Sequence, residues 1–374
     1  MKITIDASKL LTKTPTGVEV YCKNIIRGLL KQHNNLILYT PTLIIDLPAK
    51  NQQILSWPIN KLWSQLRLGF ELLIHPPDVF FSPGYVIPFF GLLNKKIRKI
   101  VTIHDVAFIH LSQSYSVWQK YFLKLTTHQA VKYADKIITP TQTTADELIK
   151  YFNCPVEKIK VVYLGYEKEI YPELAKDLAN TAHNGILRRP DGTPQDKLLK
   201  FKKQILYIGR VEDKKNIGNL IQAFEIFNKK YLDYQLILAG KLGYGFNYGF
   251  NKDKYSISNI QYLDYVSDEQ KEQLLQESSC LVLVSKYEGF GIPLLEGFSY
   301  QLPVLASDIP VLKEIGQKAC LFVNPQSPQA IADGLEKITQ NQELRTKLIQ
   351  SGIQRLQDFS WQKCIKQTWE ILDN

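Results

Sequence analysis

The sequence has few cysteines, and their spacing argues against the two structural roles that cysteine commonly has. Five occur in 374 residues, and no two of them form a C-x-x-C pair. An odd, scattered set is not typical of a disulfide framework or of a zinc site. Those at positions 22, 280 and 320 have apolar neighbours, which predicts small buried side chains in a reducing compartment. The five are Cys22, Cys154, Cys280, Cys320 and Cys364.

Long hydrophobic runs are also lacking. The longest apolar stretch, 79–93, contains two prolines and two glycines, and it is shorter than the roughly 20 residues that a membrane-spanning helix needs. Near the N-terminus, Asp6 and Lys9 interrupt any signal-peptide core. We therefore expect a cytoplasmic protein.

Acidic residues are scarce in the first half of the chain. Residues 1–175 hold 21 Lys and Arg against 13 Asp and Glu, whereas residues 176–374 hold 25 against 23. A basic half indicates an anionic partner such as a membrane surface, a lipid phosphate or nucleic acid; a general solubility charge is the alternative. Nucleic acid is disfavoured because no RNA-binding or recognition-helix motif stands out. Peripheral contact with the inner face of an anionic membrane is therefore one hypothesis.

The first strand is not followed by the dinucleotide-binding glycine pattern. Residues 1–5 alternate like a strand, and helical spacing of apolar residues begins at Val18, but no G-x-G-x-x-G lies between them. A nicotinamide-binding Rossmann domain is therefore not indicated. Gly17 stands where this helix begins, and a simple helix entry is one interpretation of it.

The sequence is organised around a strand, a glycine loop and a helix within residues 280–301. The apolar run 280–284 predicts a buried parallel strand, and Pro293 with the spacing after it predicts a helix over 294–300. Free backbone N–H groups at a helix N-terminus suit a phosphate or diphosphate. The loop residues expected to hold such a group are Gly289, Phe290, Gly291, Ile292, Pro293 and Leu294.

Two carboxylates frame this loop. Glu288 lies in the loop, and Glu296 is expected in the first helical turn. A carboxylate beside a phosphate site suits sugar hydroxyls, because it can accept hydrogen bonds from neighbouring OH groups. Solvated loop and cap residues are the alternative, and that alternative is weaker for the pair than for Glu296 alone.

The pair Glu288 and Glu296, with the glycines and the proline between them, resembles the signature of the retaining GT-B glycosyltransferases. The closest similarity is to glycosyltransferase family four, the glycosyl transferases group one. Residues 208–216 are similar to the segment of that family that holds a diphosphate-binding arginine and lysine. Residues 303–310 are similar to its strand and turn after the signature helix. The resemblance covers nearly the whole chain and is strongest over 204–324.

The resemblance implies roles for residues at the donor. Arg210 and Lys215 would neutralise the diphosphate, whose negative charge grows as the leaving group departs. Gly17 matches a glycine that faces the donor in the family. Gly240 lies in a glycine-rich turn after a strand, where a ligand can approach the backbone closely. Glu288 would hold the sugar hydroxyls as a catalytic residue, and Glu296 would hold the ribose.

A second group of candidates follows the strand at 99–103. His104 and Asp105 come directly after this strand, and chemistry collects at such strand ends in open α/β sheets. The pair is similar to the family's motif near the acceptor. His104 would form a hydrogen bond with the donor sugar or with the incoming hydroxyl, and Asp105 would orient His104 or act as the base. A structural histidine is the alternative.

The second half of the chain alternates strands and helices, which implies a parallel, doubly wound sheet. With the resemblance, the predicted fold class is α/β, with two Rossmann-like doubly wound domains facing across a cleft in the GT-B arrangement. The expected acceptor-binding domain spans 1–172, a polar linker 173–203, and the nucleotide-sugar-binding domain 204–356. Residues 357–374 would form a helix that crosses back to the first domain. Strands are predicted at 204–208, 234–239, 280–284, 303–306 and 319–323, and helices at 217–229, 268–277, 294–300 and 328–338.

The resemblance implies a retaining glycosyltransferase. Residues 102–108, 239–241 and 306–310 are similar to the mannosyltransferase-like branch, which favours GDP-mannose over a UDP-sugar as donor. A saccharide or lipid-linked acceptor, used in cell-envelope polysaccharide or lipopolysaccharide synthesis, is expected. No D-x-D occurs, so no metal-bridged diphosphate is indicated, and we expect a metal-independent enzyme without a cofactor. A non-catalytic nucleotide-sugar-binding protein or a GT-B epimerase is the alternative.

Overall fold

The chain folds into two compact units. Unit 1 contains residues 1–165 and 359–374, and unit 2 contains residues 166–358. Residues 173–201 of the predicted linker lie outside the described part of the chain. The computed structural model describes residues 1–12, 17–58, 63–111, 115–166, 202–243 and 259–374.

Unit 1 is built on a seven-stranded parallel sheet with the order β3-β2-β1-β4-β5-β6-β7. This is the Rossmann order of a doubly wound sheet, extended by one strand. Strands β1, β4 and β5 lie at its centre and are almost entirely buried, as expected for a parallel sheet covered on both faces. The strands are β1 Ile3–Asp6, β2 Ile37–Thr40, β3 Gln52–Ile54, β4 Val79–Ser82, β5 Arg98–Thr102, β6 Lys136–Thr139 and β7 Ile159–Val161.

The helices of unit 1 include one from the end of the chain, Trp361–Asp373. It packs against the first helix so closely that a Cβ on Gly28 would lie 2.0 Å from the Ile365 side chain. The unit therefore depends on the last residues of the sequence for part of its core. The other helices are α1 Gly17–Gln32, α2 Arg67–Ile74, α3 Phe89–Leu93, α4 Ala107–His110, α5 Val117–Tyr133 and α6 Gln142–Phe152; Trp361–Asp373 is α13.

Unit 2 is built on a six-stranded parallel sheet with the order β10-β9-β8-β11-β12-β13. Read within this unit, the order is the Rossmann order. Strand β8 pairs with β9 on one side and β11 on the other, so the chain reverses its winding direction between β8 and β11. The strands are β8 Gln204–Ile208, β9 Gln235–Ala239, β10 Ile260–Leu263, β11 Cys280–Leu283, β12 Val304–Ser307 and β13 Cys320–Val323.

The helices of unit 2 cover both faces of this sheet. All strands and helices predicted for this half are present, and the structure adds β10 and two helices that the sequence pattern did not indicate, at 310–316 and 342–356. No helix in the described ranges combines the length and the apolarity needed to cross a membrane. The helices are α7 Ile217–Asn228, α8 Asp268–Glu277, α9 Ile292–Ser299, α10 Pro310–Gly316, α11 Pro328–Gln340 and α12 Gln342–Leu356.

Candidate functional site

The glycine loop between β11 and α9 begins at the carboxyl end of the sheet in unit 2. Gly291 has φ +95°, a left-handed conformation that favours glycine, and it lets α9 begin at Ile292, two residues earlier than predicted. Pro293 is then the second helical residue, where its missing N–H costs no helical hydrogen bond. Glu296 consequently lies in the second turn of the helix, and its expected position in the first turn was wrong.

The carboxylate of Glu288 is held from two sides. Ser285 Oγ donates a hydrogen bond to Glu288 Oε1 at 2.7 Å, and Lys215 Nζ lies 2.6 Å from the same oxygen. The side chain of Glu288 is 9% exposed and that of Lys215 is 16% exposed, so water screens this pair little. Within the described residues both contacts reach Oε1, which leaves Oε2 as the oxygen that can accept hydrogen bonds from a ligand.

The loop after β8 brings Lys215 to this position. Asn216 has φ +62° and donates through Nδ2 to the carbonyl oxygen of Val284, at the end of β11, at 3.0 Å. The backbone N–H of Lys286 donates to the carbonyl oxygen of Lys214 at 2.9 Å. These two bonds fasten the β8 loop to the β11 loop, so that Lys215 and Glu288, 73 residues apart in sequence, meet.

A side-chain hydrogen bond holds the backbone of Arg210 in place. Its carbonyl oxygen accepts a hydrogen bond from the hydroxyl of buried Tyr207 at 2.7 Å. Burial, followed by the charge of nearby Glu288, raises the pKa of Tyr207 well above its usual value, so this hydroxyl stays protonated as a donor. The preceding Gly209 has φ +147° and Gly240 has φ +141°; a Cβ on Gly240 would lie 2.0 Å from the carbonyl oxygen of Gly209. The loops after β8 and β9 therefore touch through two glycines.

Glu296 has a cationic partner that the sequence did not indicate. Lys271 Nζ, from α8, lies 3.0 Å from Glu296 Oε1. Burial lowers the pKa of Lys271, but the charge of Glu296 and the hydrogen bond to it outweigh that effect and raise it, so the lysine stays charged. In the same helix as Glu296, Ser299 Oγ lies 3.0 Å from the hydroxyl of Tyr166. Burial raises the pKa of Tyr166 to about 12.

In unit 1, His104 follows β5 at the carboxyl edge of the sheet and is 6% exposed. Its Nε2 lies 2.9 Å from the carbonyl oxygen of Pro83, which can only accept, so the proton lies on Nε2 and Nδ1 is the acceptor nitrogen. The ring contacts Tyr21, from α1, edge to face at 4.8 Å. Burial lowers the pKa of His104, so the imidazole is neutral near pH 7.

The other two candidates of unit 1 lie at or just before the start of a helix. Asp105 Oδ1 accepts a hydrogen bond from the backbone N–H of Ala107 at 3.0 Å, at the start of α4. Gly17 is the first residue of α1 and is exposed. Asp105 is the neighbour of His104 in sequence, and Gly17 begins the helix that supplies Tyr21 to the His104 ring.

The structure thus gathers the predicted donor residues of unit 2 at one edge of its sheet. Arg210, Lys215, Gly240, Glu288 and residues 289–291 lie on the loops that follow β8, β9 and β11. Residues 292–294 form the first turn of α9, and Glu296 lies further along the same helix. Sequence reasoning missed Ser285 and Lys271. Ser285 follows directly after a buried strand, which is the one signal that could have indicated it. Lys271 is one of several polar residues on an amphipathic helix, and nothing in the pattern distinguishes it.

Comparison with known proteins decides the family. Residues 193–355 match the family model described as Glycosyl transferases group 1, and residues 15–169 match Glycosyltransferase Family 4. The chain belongs to this glycosyltransferase family. The glycosyltransferase is 27% identical over 305 residues to O-antigen chain mannosyltransferase B of Escherichia coli, an alignment that covers 81% of this chain and 76% of that protein. It is 25% identical over 325 residues to O-antigen chain mannosyltransferase RfbU of Salmonella typhimurium, covering 86% and 81%.

Solved structures show the same fold at low identity. Sucrose-phosphate synthase from Thermosynechococcus elongatus aligns with a TM-score of 0.74 and 16% identity, over 99% of this glycosyltransferase and 98% of that chain. WaaG, a glycosyltransferase involved in lipopolysaccharide biosynthesis, aligns with a TM-score of 0.70 and 13% identity over 99% of both chains. Anabaena HepE in complex with UDP-glucose aligns with a TM-score of 0.68 and 16% identity, over 100% and 99%. The predicted GT-B fold class, with two Rossmann-like domains, is confirmed.

Proposed function

We propose that this glycosyltransferase transfers mannose from GDP-mannose to a saccharide or lipid-linked acceptor, with retention of the anomeric configuration. The observation that carries the proposal is the orientation of Glu288 by Ser285 and Lys215 beside the N-terminus of α9. An oriented carboxylate and a cation at a helix N-terminus suit a sugar and a diphosphate bound side by side. The choice of mannose is supported by the two relatives named as O-antigen chain mannosyltransferases.

Most of the proposed contacts with the donor come from residues of unit 2, and each group of residues is assigned one part of the donor. Arg210, Lys215 and the backbone N–H groups of 289–294 hold the diphosphate. Glu288 Oε2 accepts hydrogen bonds from the sugar hydroxyls while Ser285 and Lys215 hold Oε1. Glu296, held by Lys271, accepts from the ribose hydroxyls. Gly17 and Gly240 give the donor close access to backbone.

In the proposed transfer, the bond between the sugar C1 and the β-phosphate oxygen breaks, and a bond from C1 to the acceptor oxygen forms on the same face. The proton of the acceptor hydroxyl passes to the leaving phosphate. The two cations stabilise the charge that accumulates on this phosphate, which is the main contribution a protein can make to such a step. His104 and Asp105 are the residues proposed to contact the acceptor, His104 as a neutral imidazole. We propose a metal-independent reaction because the sequence lacks D-x-D.

The acceptor is proposed to be a growing saccharide of the cell envelope, as in lipopolysaccharide synthesis, elongated on the cytoplasmic side of the membrane. This proposal is supported by the names of the two O-antigen relatives and by the likeness to WaaG, which is involved in lipopolysaccharide biosynthesis. The nucleotide base of the donor has to be tested as well, because the HepE structure contains UDP-glucose and a UDP-sugar is the competing donor.

A donor screen tests the proposal. GDP-mannose and UDP-sugars are incubated with the protein and EDTA, and slow hydrolysis is followed by mass spectrometry; GDP-mannose should be the preferred donor. Glu288→Gln should remove about 2–4 kcal/mol of transition-state stabilisation and therefore lower turnover, whereas the affinity for GDP should be unchanged. NMR of the first-formed product should show an α linkage from the α-linked donor. A β product would overturn retention, donor conversion without acceptor would indicate an epimerase, and binding without turnover a binding protein.

A further inference from the structure

Tyr85, in the loop that follows β4, has a backbone conformation that a bulky residue rarely adopts. Its φ is +67°, and the N–H of Val86 donates a hydrogen bond to the carbonyl oxygen of Gly84 at 2.9 Å. A hydrogen bond between residues i and i+2 around a positive φ is the strained form of the γ-turn. Glycine and asparagine adopt a positive φ at lower cost, so the backbone alone does not explain a tyrosine at this position.

Neighbouring segments fasten this loop. The N–H of Tyr85 donates to the carbonyl oxygen of Thr102, the last residue of β5, at 3.0 Å. The carbonyl oxygen of Pro83 lies 2.9 Å from His104 Nε2 and 3.6 Å from Cys22 Sγ. Strained residues persist where their surroundings hold them, and they cluster at binding and catalytic sites. The strain at Tyr85 therefore points to a function for its side chain.

The fastened backbone places the Tyr85 ring beside His104. The two ring centroids are 5.3 Å apart and the ring planes make an angle of 52°. Tyr21 contacts the same imidazole but is buried, whereas Tyr85 is half-buried. Part of the Tyr85 ring packs on the core cluster that contains Ile87 and Ile103, and the remainder is open to solvent. An accessible aromatic surface therefore adjoins the residue proposed to contact the acceptor.

The position of the loop in unit 1 also indicates a ligand site. Strand β4 lies beside β1, where the chain reverses its winding direction in this sheet. Ligands of open α/β sheets bind outside the carboxyl ends of the strands at such a point. Tyr85 comes three residues after Ser82, the last residue of β4. The aromatic surface thus lies at the edge of the sheet where a ligand of unit 1 is expected.

The chemistry of this surface suits a pyranose ring. The face of an aromatic ring carries partial negative charge and attracts the positively polarised C–H groups on one face of a sugar. His104 Nδ1, as the acceptor nitrogen of a neutral imidazole, can accept a hydrogen bond from a sugar hydroxyl. A phosphate group has no C–H face for the aromatic ring. The proposed contacts with the donor come mostly from unit 2, so the sugar that these two rings suit is the acceptor.

We propose that Tyr85 is a specificity residue on which a pyranose ring of the acceptor stacks, with a hydroxyl of that sugar directed to His104. The proposal rests on the proposed function in that it takes His104 as a residue of the acceptor site. It goes further by making the acceptor a saccharide that is recognised through the C–H face of its sugar ring.

Saturation-transfer NMR tests the stacking without a donor. The probes are methyl α-D-mannopyranoside and an α-linked mannobiose, and saturation should be largest at the C–H protons of one sugar face. Tyr85→Phe keeps the ring and should bind like the parent. Tyr85→Asn, whose side chain tolerates a positive φ, should bind the mannobiose about tenfold or more weakly, because the contact area of the ring is lost. Tyr85→Leu, which keeps an apolar side chain without a ring, should also bind more weakly.

A matched control and a second ligand complete the test. Tyr133→Asn removes another partly exposed tyrosine of unit 1, at the opposite edge of the sheet just before β6, and should bind the mannobiose like the parent. Calorimetry should give the parent and the Tyr85 variants the same affinity for GDP-mannose. A loss of GDP-mannose affinity with unchanged mannobiose binding would assign the ring to the donor sugar and overturn the proposal.

Two further results would overturn it: equal mannobiose binding by the parent and Tyr85→Asn, or no binding of either glycoside by the parent. Turnover of GDP-mannose is measured separately on the parent. If turnover is absent while mannobiose binds and depends on Tyr85, the proposed function fails and the stacking surface stands.

Discussion

Removing the hydroxyl of Ser285 should slow sugar transfer without weakening diphosphate binding. Ser285 Oγ donates to Glu288 Oε1 at 2.7 Å and is fully buried, so water cannot replace the lost bond. A hydrogen bond to a charged group is worth about 1.5–3 kcal/mol. Since each 1.4 kcal/mol is roughly a factor of ten, Ser285→Ala should lower kcat/KM about tenfold to a hundredfold. Lys215 still holds Oε1 in this variant, which places the expectation toward the lower figure.

The assay compares two serines that flank the same strand. Ser278 precedes β11, is buried, and donates through Oγ to the carbonyl oxygen of Leu274 at 2.6 Å, far from the carboxyl edge. Ser278→Ala should therefore lower stability and leave turnover unchanged. Mass spectrometry measures turnover of GDP-mannose, and calorimetry measures GDP affinity, which should be kept in both variants. Equal turnover in the two variants would show that Ser285 does not set the orientation of Glu288, and the reasoning would fail.

The remaining predictions separate the roles of the other charged residues. Lys215→Ala should weaken the binding of both GDP and inorganic pyrophosphate by roughly tenfold or more, because the lysine interacts with the phosphate charge. If calorimetry gave the variant and the parent the same affinity for pyrophosphate, Lys215 would not belong to the diphosphate site. Lys271→Met should weaken the binding of GDP and leave the binding of pyrophosphate unchanged, because its partner Glu296 is proposed to bind the ribose. An equal loss of affinity for pyrophosphate would contradict that assignment. Burial lowers the pKa of His104 below its ordinary 6.5, so the unfolded state binds more protons between the two values. The free energy of unfolding should therefore decrease as pH falls through that window. When unfolding by urea is measured as a function of pH, this decrease in stability should be absent in His104→Asn and present in the control variant His128→Asn, whose side chain is exposed. A pH dependence in His104→Asn equal to that of the parent would refute the prediction.

The strand–loop–helix around Glu288 could be predicted from the sequence because each step has a local signal. The apolar run, the glycines and Pro293 each restrict the backbone at their own position. The sequence pattern predicts the start of α9 two residues too late, because the left-handed φ of Gly291 decides where the helix begins. Strand β10 was missed because it is an edge strand with partly buried residues, so its apolar pattern is weak.

The contacts that orient the site could not be predicted because they join distant segments. Lys271 meets Glu296 across 25 residues and Lys215 meets Glu288 across 73, and no spacing rule reaches that far. The buried state of His104 likewise depends on Tyr21 of α1, which covers its ring. Residue types therefore indicate which chemistry is available, while the fold decides which partner each group receives.

The contribution of α13 to unit 1 has a consequence for how the chain acquires its structure during synthesis. Unit 2 is contiguous in sequence, so all of its residues are available for folding once Asp358 has left the ribosome. Unit 1 has to wait for Trp361 and Ile365, which fill the space beside Gly165 and Gly28. Domains commonly complete their folding in the order of translation. Here unit 1 is the first to be synthesised and the last to complete its folding. A ribosome stalled before residue 359 would carry an incomplete unit 1, to which chaperones would bind.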